Sequence, residues 1–354
     1  MTEHLVTLAD FLTEQLKDFP QTEALNKLLV AIASASKEIA AMTAKGALTE
    51  NTAKLASQNV QGETQMKLDV LANDAFIREL KASGSVAGIV SEEMDDPLTM
   101  TTGSPFLVVF DPLDGSSNVP VNVSVGSIFS VLNAPQAREP EVTDYLQAGS
   151  QQVAAGYALY GPCTMLVLTV GLGTHGFTYE ADRDAFLLTH FNMQMPDETT
   201  EFAINASNAR FWDAPVQRYV ENCQAGITGP RGKDFNMRWV ASMVADVHRI
   251  LIRGGVYLYP KDTKLPTKEG RLRLLYEVNP MSMLVEQAGG KSSTGRQRML
   301  DVIPDQVHQR IAVLLGTRQE VTLLERYYQE FDAGVPNKSH SPLFSDRSLF
   351  NKKQ

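Results

Sequence analysis

Cysteine is scarce: the 354 residues hold two, Cys163 and Cys223. Two thiols so far apart make neither a disulfide framework nor a thiolate zinc site, and the count suits a reducing compartment. Positive charge is also short, with 32 Lys and Arg against 41 Asp and Glu, a formal net charge of −9. No basic run exceeds a pair, so the footprint of a nucleic-acid binder is missing. Apolar runs such as Met165–Val170 fall well short of the ~18 residues a membrane helix needs. Met1-Thr2-Glu3-His4 leads into an amphipathic stretch, so no secretory signal is expected. Glycine (24) and proline (17) stay at background levels, which excludes collagen-like and linker-type chains. What remains is ordinary globular usage, 43% hydrophobic and 21% charged, in a chain long enough for a large core and roughly two domains. The expectation is a cytoplasmic protein without membrane or nucleic-acid partners. If so acidic a chain handles anions, it needs metal ions or a local basic patch.

Helical spacing of Leu5, Leu8, Leu12 and Leu16 predicts a first helix, and Leu25, Leu28, Leu29, Ile32, Ile39 and Met42 a second beyond Pro20. A third begins near Asp69. Short apolar runs at 86–90, 106–110, 121–132, 153–160, 165–170 and 186–188 then predict buried strands. The polar, Pro-containing stretch 195–200 marks an expected boundary between an N-terminal subdomain (1–195) and a C-terminal one (196–333). Beyond it come a strand at 202–205, a helix at 214–221, a helix whose apolar face runs from Val240 to Leu251, and a strand at 256–259. A helix at 280–288, a strand at 311–315 and a helix at 321–328 follow, before a polar tail at 334–354. Helices and strands alternating in two halves give an α/β or α+β protein of stacked layers.

The chemistry concentrates in Phe110-Asp-Pro-Leu-Asp-Gly-Ser-Ser-Asn118, directly after an apolar strand. Pro112 fixes its own φ and Gly115 permits a turn that other residues resist. Such a turn can aim Asp111, Asp114 and the Leu113 carbonyl at one point, three hard oxygen donors suited to Mg²⁺ or Mn²⁺. Gly115, Ser116 and Ser117 then offer successive backbone N–H groups to a phosphate. An Asp-Gly pair alone is an ordinary surface turn; the strand before it and the Ser-Ser-Asn after it argue for more. Ser91-Glu92-Glu93 ends another apolar strand. Adjacent acids usually mark a solvated loop, but two strands ending in acids point to a ligand site beyond their carboxyl ends. Packed carboxylates repel unless cations neutralise them.

With Ser242-Met-Val-Ala-Asp-Val-His-Arg249, Leu272-Arg-Leu-Leu-Tyr-Glu277, Asn279-Pro-Met281 and Glu286-Gln-Ala-Gly-Gly290, the Asp111–Asn118 motif resembles class I fructose-1,6-bisphosphatases. The Asp-Pro-Leu-Asp-Gly element alone is shared with inositol monophosphatases; the downstream blocks are more specific. The resemblance implies a layered α-β-α-β-α sandwich of two subdomains and a metal-dependent phosphatase converting fructose 1,6-bisphosphate to fructose 6-phosphate in gluconeogenesis. A sedoheptulose 1,7-bisphosphatase, an inositol-phosphate phosphatase or a non-catalytic sugar-phosphate sensor are the alternatives. It implies more than one divalent ion per subunit, held by Glu92, Glu93, Asp111, Asp114, Glu277 and the Leu113 carbonyl. Asp69 falls on an acid that works with the Glu93 position to activate water, with Glu63 in a nearby acidic loop.

For the sugar and its second phosphate, the resemblance implies Asn205, Arg238, Ser242, Met243, Tyr259 and Arg271. Arg238 falls on a residue that reaches into a neighbouring subunit of a homotetramer. Arg271 stands where many members have Lys, and Asn208 and Trp239 where many have Tyr. Animal members bind inhibitory AMP with a Lys-Tyr pair and an Arg; the aligned residues here are Pro105, Phe106 and Asn133, although Thr22 is kept. Losing those cations implies weak or absent AMP inhibition. His248, among apolar helix positions, is expected to be structural, and Pro120 replaces an acid without an evident consequence.

Overall fold

The computed structural model describes residues 6–48, 54–58, 64–264, 266 and 268–335. Glu63 and most of the expected tail lie outside them. Helices α1 (Leu8–Gln15) and α2 (Thr22–Ala44) precede a hairpin of β1 (Lys54–Gln58) and β2 (Thr64–Met66), and α3 (Lys67–Ser83) follows. The first large sheet is built from β3 (Val86–Ser91), β4 (Leu98–Thr99), β5 (Phe106–Asp114), β6 (Val125–Asn133), β7 (Ala154–Tyr160), β8 (Thr164–Thr169), β9 (Thr174–Glu180) and β10 (Ala185–Met193). Its spatial order is β10-β9-β8-β7-β6-β5-β3-β4. Only β3 and β5 run parallel, with Ser91 opposite Phe110, so both deliver their carboxyl ends to the same edge.

The second half contributes β11 (Glu201–Ala203), α4 (Ala214–Gln224), β12 (Asn236–Met237), α5 (Met243–Arg253), β13 (Val256–Tyr259), β14 (Leu272–Arg273), α6 (Asn279–Gln287), β15 (Lys291–Ser293), β16 (Arg310–Ile311), β17 (Val313–Gly316) and α7 (Arg318–Asp332). Its five-stranded sheet has the order β12-β11-β13-β17-β15, while β14 and β16 pair separately.

Strand alternation sorts the side chains into layers. On β6, β7 and β8, Phe129, Ala158 and Leu166 face α1, α2 and α3. Ile128, Tyr157 and Val167 face the opposite way, toward α5 and α6, which also take Tyr257, Val313 and Leu315 from the second sheet. That sheet's other face, with Val256, Leu258 and Leu314, packs on α4 and α7. The result is the expected α-β-α-β-α sandwich. α5 and α6 are its middle layer, and the two-sided burial of their faces explains the strong apolar patterning from Val244 to Leu251.

Several expected boundaries shift for local reasons. The strand expected at 121–132 begins at Val125, because Ser116–Val121 winds into a 3₁₀ turn between two left-handed residues, Gly115 and Asn122. Pro120 inside that turn has no N–H for a ladder. The run 311–315 is two strands: Arg310–Ile311 pairs with β14, and Val313–Gly316 enters the second sheet. α5 starts at Met243, not Val240, since Ser242 is its cap. Before α6, Leu274–Val278 forms a π-helical turn, a conformation frequent at functional sites. No described helix is long and apolar enough to cross a membrane.

Candidate metal and phosphate site

The parallel pair β3 and β5 ends at a single point. Glu92 follows β3, and its N–H donates to the Phe110 carbonyl at 3.1 Å, setting Glu92 beside Asp111. The Asp111 carboxylate accepts the Leu113 N–H at 3.0 Å, bending the chain at Pro112, whose carbonyl takes the Ser127 hydroxyl at 2.7 Å. That bend turns Asp114 to the same side. One Asp114 oxygen accepts the Ser242 hydroxyl at 2.8 Å and the Val244 N–H at 3.0 Å, both from the start of α5. Gly115 is required here twice over: its φ is +75°, and a Cβ would lie 2.8 Å from that of Ser242.

The π-helical turn brings in Glu277. One oxygen each from Asp111, Asp114 and Glu277 lies within 4.8 Å of the others, and all three side chains are buried. Burial pushes the Asp111 carboxyl well above its ordinary range, and Glu92, Glu277 and Asp114 push it further; Arg273 pulls it back. Burial also raises Asp114, against its bonds from Val244 and Ser242. Hard oxygen donors in a buried cluster that resists ionisation are what a divalent cation neutralises, so the donor set fits Mg²⁺ or Mn²⁺.

Arg273 is the residue that sequence reasoning missed. Its guanidinium, 7% exposed, bridges Glu92 and Glu277, the latter at 3.2 Å. The signal was present: acids gathered at one point need a countercharge, and Arg273 stands four residues before Glu277. Glu92 therefore lines the site in an ion pair. Glu93 is half-buried, its N–H on the Ser91 hydroxyl, and Asp69 is buried in the first turn of α3; neither lines the cavity.

That cavity, about 680 Å³, runs from Glu92, Asp111, Leu113, Asp114 and Glu277 past Gly115, Ser116, Ser117 and Pro120 to Asn205, Met243, Tyr259 and Arg271. Trp239 stacks on Tyr257 at 5.8 Å between ring centres and also lines it, as does Arg310, another residue the sequence did not single out. Arg271 sends its Nε to Asp262 at 2.9 Å, and Arg310 holds the Arg271 carbonyl at 3.1 Å. Three expected positions stand apart from the lining. Ser242 is buried behind it on Asp114, Asn208 faces a separate small crevice, and exposed Arg238 folds its guanidinium onto the Met237 carbonyl at 3.3 Å. His248 is not part of the lining, and its Nδ1 lies 2.7 Å from the Tyr157 hydroxyl.

Comparison with known proteins decides among the readings. Residues 6–191 match the N-terminal domain of the fructose-1-6-bisphosphatase family and residues 195–329 match its C-terminal domain. The chain belongs to the fructose-1,6-bisphosphatase family. A class 1 fructose-1,6-bisphosphatase of Hydrogenophilus thermoluteolus is 55% identical, over 98% of each chain. One of Methylacidiphilum infernorum is 53% identical over 99% of each. Among solved structures, Leishmania major fructose-1,6-bisphosphatase in its holo form superposes with a TM-score of 0.85 at 36% identity, covering 92% of this chain and 99% of that one. The fructose-1,6-bisphosphatase fold thus carries, in one cavity, an acidic cluster able to hold metal together with cationic and aromatic groups.

Proposed function

We propose that the chain removes the 1-phosphate of fructose 1,6-bisphosphate to give fructose 6-phosphate in gluconeogenesis. The observation that carries this reading is the make-up of the cavity's lining: a buried acid cluster together with two further cationic side chains, Arg271 and Arg310. A bisphosphate needs both, whereas an inositol monophosphate would leave the second group without a phosphate. Glu92, Glu93, Asp111, Asp114, Glu277 and the Leu113 carbonyl would hold more than one Mg²⁺, with Mn²⁺ able to substitute. Bound there, the ions neutralise the ester phosphate and the charge that develops on it during in-line displacement.

The chain's own groups supply the rest. Gly115, Ser116 and Ser117 cradle the ester phosphate with backbone N–H groups. For Asp69 and Glu93, which stand outside the cavity lining, we keep the role that the family resemblance implies, orienting the attacking water and taking its proton. Asn205, Tyr259 and Arg271 hold the far phosphate, Arg271 with a planar fork where a Lys would offer a point charge. Ser242 acts through Asp114, and Met243 packs on the sugar. Arg238, absent from its own cavity, serves a neighbouring subunit in a homotetramer. We assign residues 1–195 and 196–333 as the two subdomains, and the cytoplasm as the compartment.

AMP inhibition is expected to be weak. Phe106 is buried in the core beside Pro105, Asn133 brings no cation, and the Thr22 hydroxyl already lies 2.6 Å from the carbonyls of both Leu16 and Phe19. The deciding assay compares phosphate release from fructose 1,6-bisphosphate, sedoheptulose 1,7-bisphosphate and inositol 1-phosphate, with Mg²⁺ and with chelator. Metal-dependent turnover highest on fructose 1,6-bisphosphate supports the proposal; preference for either other substrate overturns it.

A further inference from the structure

One short segment, 238–243, runs from the second sheet to the acid cluster, and one of its residues is not in the conformation it prefers. Ala241 has φ +67°, a left-handed conformation that a side chain with a Cβ resists. Strain of this kind persists only where the surroundings impose it. Here the imposing group is the Asp246 carboxylate, 2% exposed on the first turn of α5. It accepts the Val240 N–H at 3.0 and 3.2 Å and the Ala241 N–H at 3.2 Å. From the other side, the Asn118 amide donates to the carbonyls of Val240 and Ala241 at 3.3 and 3.4 Å. An acid serving only its helix would bond the free N–H groups of that helix's first turn. Asp246 instead reaches back to the approaching loop.

The loop's ends show what this clamp governs. The Arg238 N–H is bound to the Phe202 carbonyl at 2.8 Å, in the second sheet, while the Ser242 hydroxyl is bound to Asp114. Between these anchors, Trp239 and Ala241 line the cavity, and Met243 lines it just beyond; Asp246 does not. We propose that Asp246 is a positioning residue for the sugar-bisphosphate site: its carboxylate holds Ala241 in the left-handed turn and thereby sets Trp239 and Met243 against the substrate. This rests on the bisphosphate reading of the cavity. Once the carboxylate is removed, Ala241 leaves the strained region and the lining of the cavity spreads.

The test is a pair of backgrounds. Asp246→Asn should raise KM for fructose 1,6-bisphosphate about tenfold while kcat falls less than about twofold. In an Ala241→Gly background the same substitution should raise KM only about twofold, because glycine adopts the left-handed turn without strain. In ligand-free Trp212→Phe protein, which leaves Trp239 as the single tryptophan, Asp246→Asn should increase quenching of its fluorescence by iodide. A residue that merely stabilises the fold would lower the melting temperature without this split between KM and kcat, and would be indifferent to residue 241. Unchanged KM and unchanged quenching in folded Asp246→Asn protein, or equal KM shifts in both backgrounds, overturn the proposal. If that variant does not fold, Asp246→Glu is held to the same criteria, with a smaller shift expected. Should the wild-type enzyme fail to hydrolyse the bisphosphate, the functional reading falls, while the iodide result still reports on the clamp.

Discussion

The two ends of the cavity are built on opposite principles. At the acid end, negative groups are packed out of water at a cost, and a single guanidinium, Arg273, joins two of them. Away from it the charges are sparse and partly wet: the Arg271 side chain is 26% exposed and paired with a buried Asp262, and the rings of Trp239, Tyr257 and Tyr259 pack on one another in the same lining. An end that stores like charge in a dry place is prepared for polyvalent cations and a change of charge. An end of neutral donors, aromatic faces and paired cations is prepared to recognise a group that does not react. On the proposed reading, the difference separates chemistry from recognition within one cavity.

Substitutions should break this contrast in order of size. Asp114→Ala, at the acid end, removes a donor that also ties the motif loop to α5. Loss of kcat by about 10³-fold or more is expected, with far-ultraviolet circular dichroism unchanged. Arg273→Met strips the cation from buried acids, which should destabilise metal-free protein by about 3–5 kcal/mol; thermal melts with and without Mg²⁺ should show the loss largely recovered by the ion. A melt depressed equally in both conditions would deny the acids their role as cation holders. Arg271→Ala, at the recognition end, should raise KM for fructose 1,6-bisphosphate about 10- to 100-fold and leave kcat/KM for fructose 1-phosphate nearly untouched. A parallel loss on both substrates would erase the division between the ends.

His248, outside the lining, should move neither. Burial lowers its pKa to about 4 from an ordinary value near 6.5. The unfolded chain therefore takes up a proton before the folded one does, so this stabilisation is complete above about pH 6.5 and is lost as pH falls toward 4. The loss should reach about 1 kcal/mol by pH 5.5. In His248→Gln the drop in melting temperature between pH 7.5 and 5.5 should shrink, with kinetic constants for both substrates unchanged.

The same contrast explains what could be read in the sequence. The acid end was largely legible because three of its groups, Asp111, Leu113 and Asp114, come from one contiguous turn after an apolar strand, where proline and glycine mark the geometry. Glu277 and Glu92 entered as acids in separate blocks, and their partner Arg273 was hidden because a lone arginine carries no pattern of its own. The rest of the lining is assembled from five separated stretches around Asn205, Trp239, Tyr257, Arg271 and Arg310, and spacing in sequence says nothing about such convergence. Fold class followed from periodicity. Boundaries failed where local turns overrode it, at Asn122, Ala312 and Ser242, each of which redirects the chain inside an apolar run.

The contact between Gly115 and Ser242 has an evolutionary corollary. With room for no more than a hydrogen on one side, neither position can drift without the other, though they stand 127 positions apart in the chain. The motif loop is consequently not a portable cassette: grafted onto a foreign scaffold, or expressed as a fragment without the second half, it would lack the surface that gives its turn a shape. Recombination between distant relatives is expected to succeed only when both positions are inherited from the same parent.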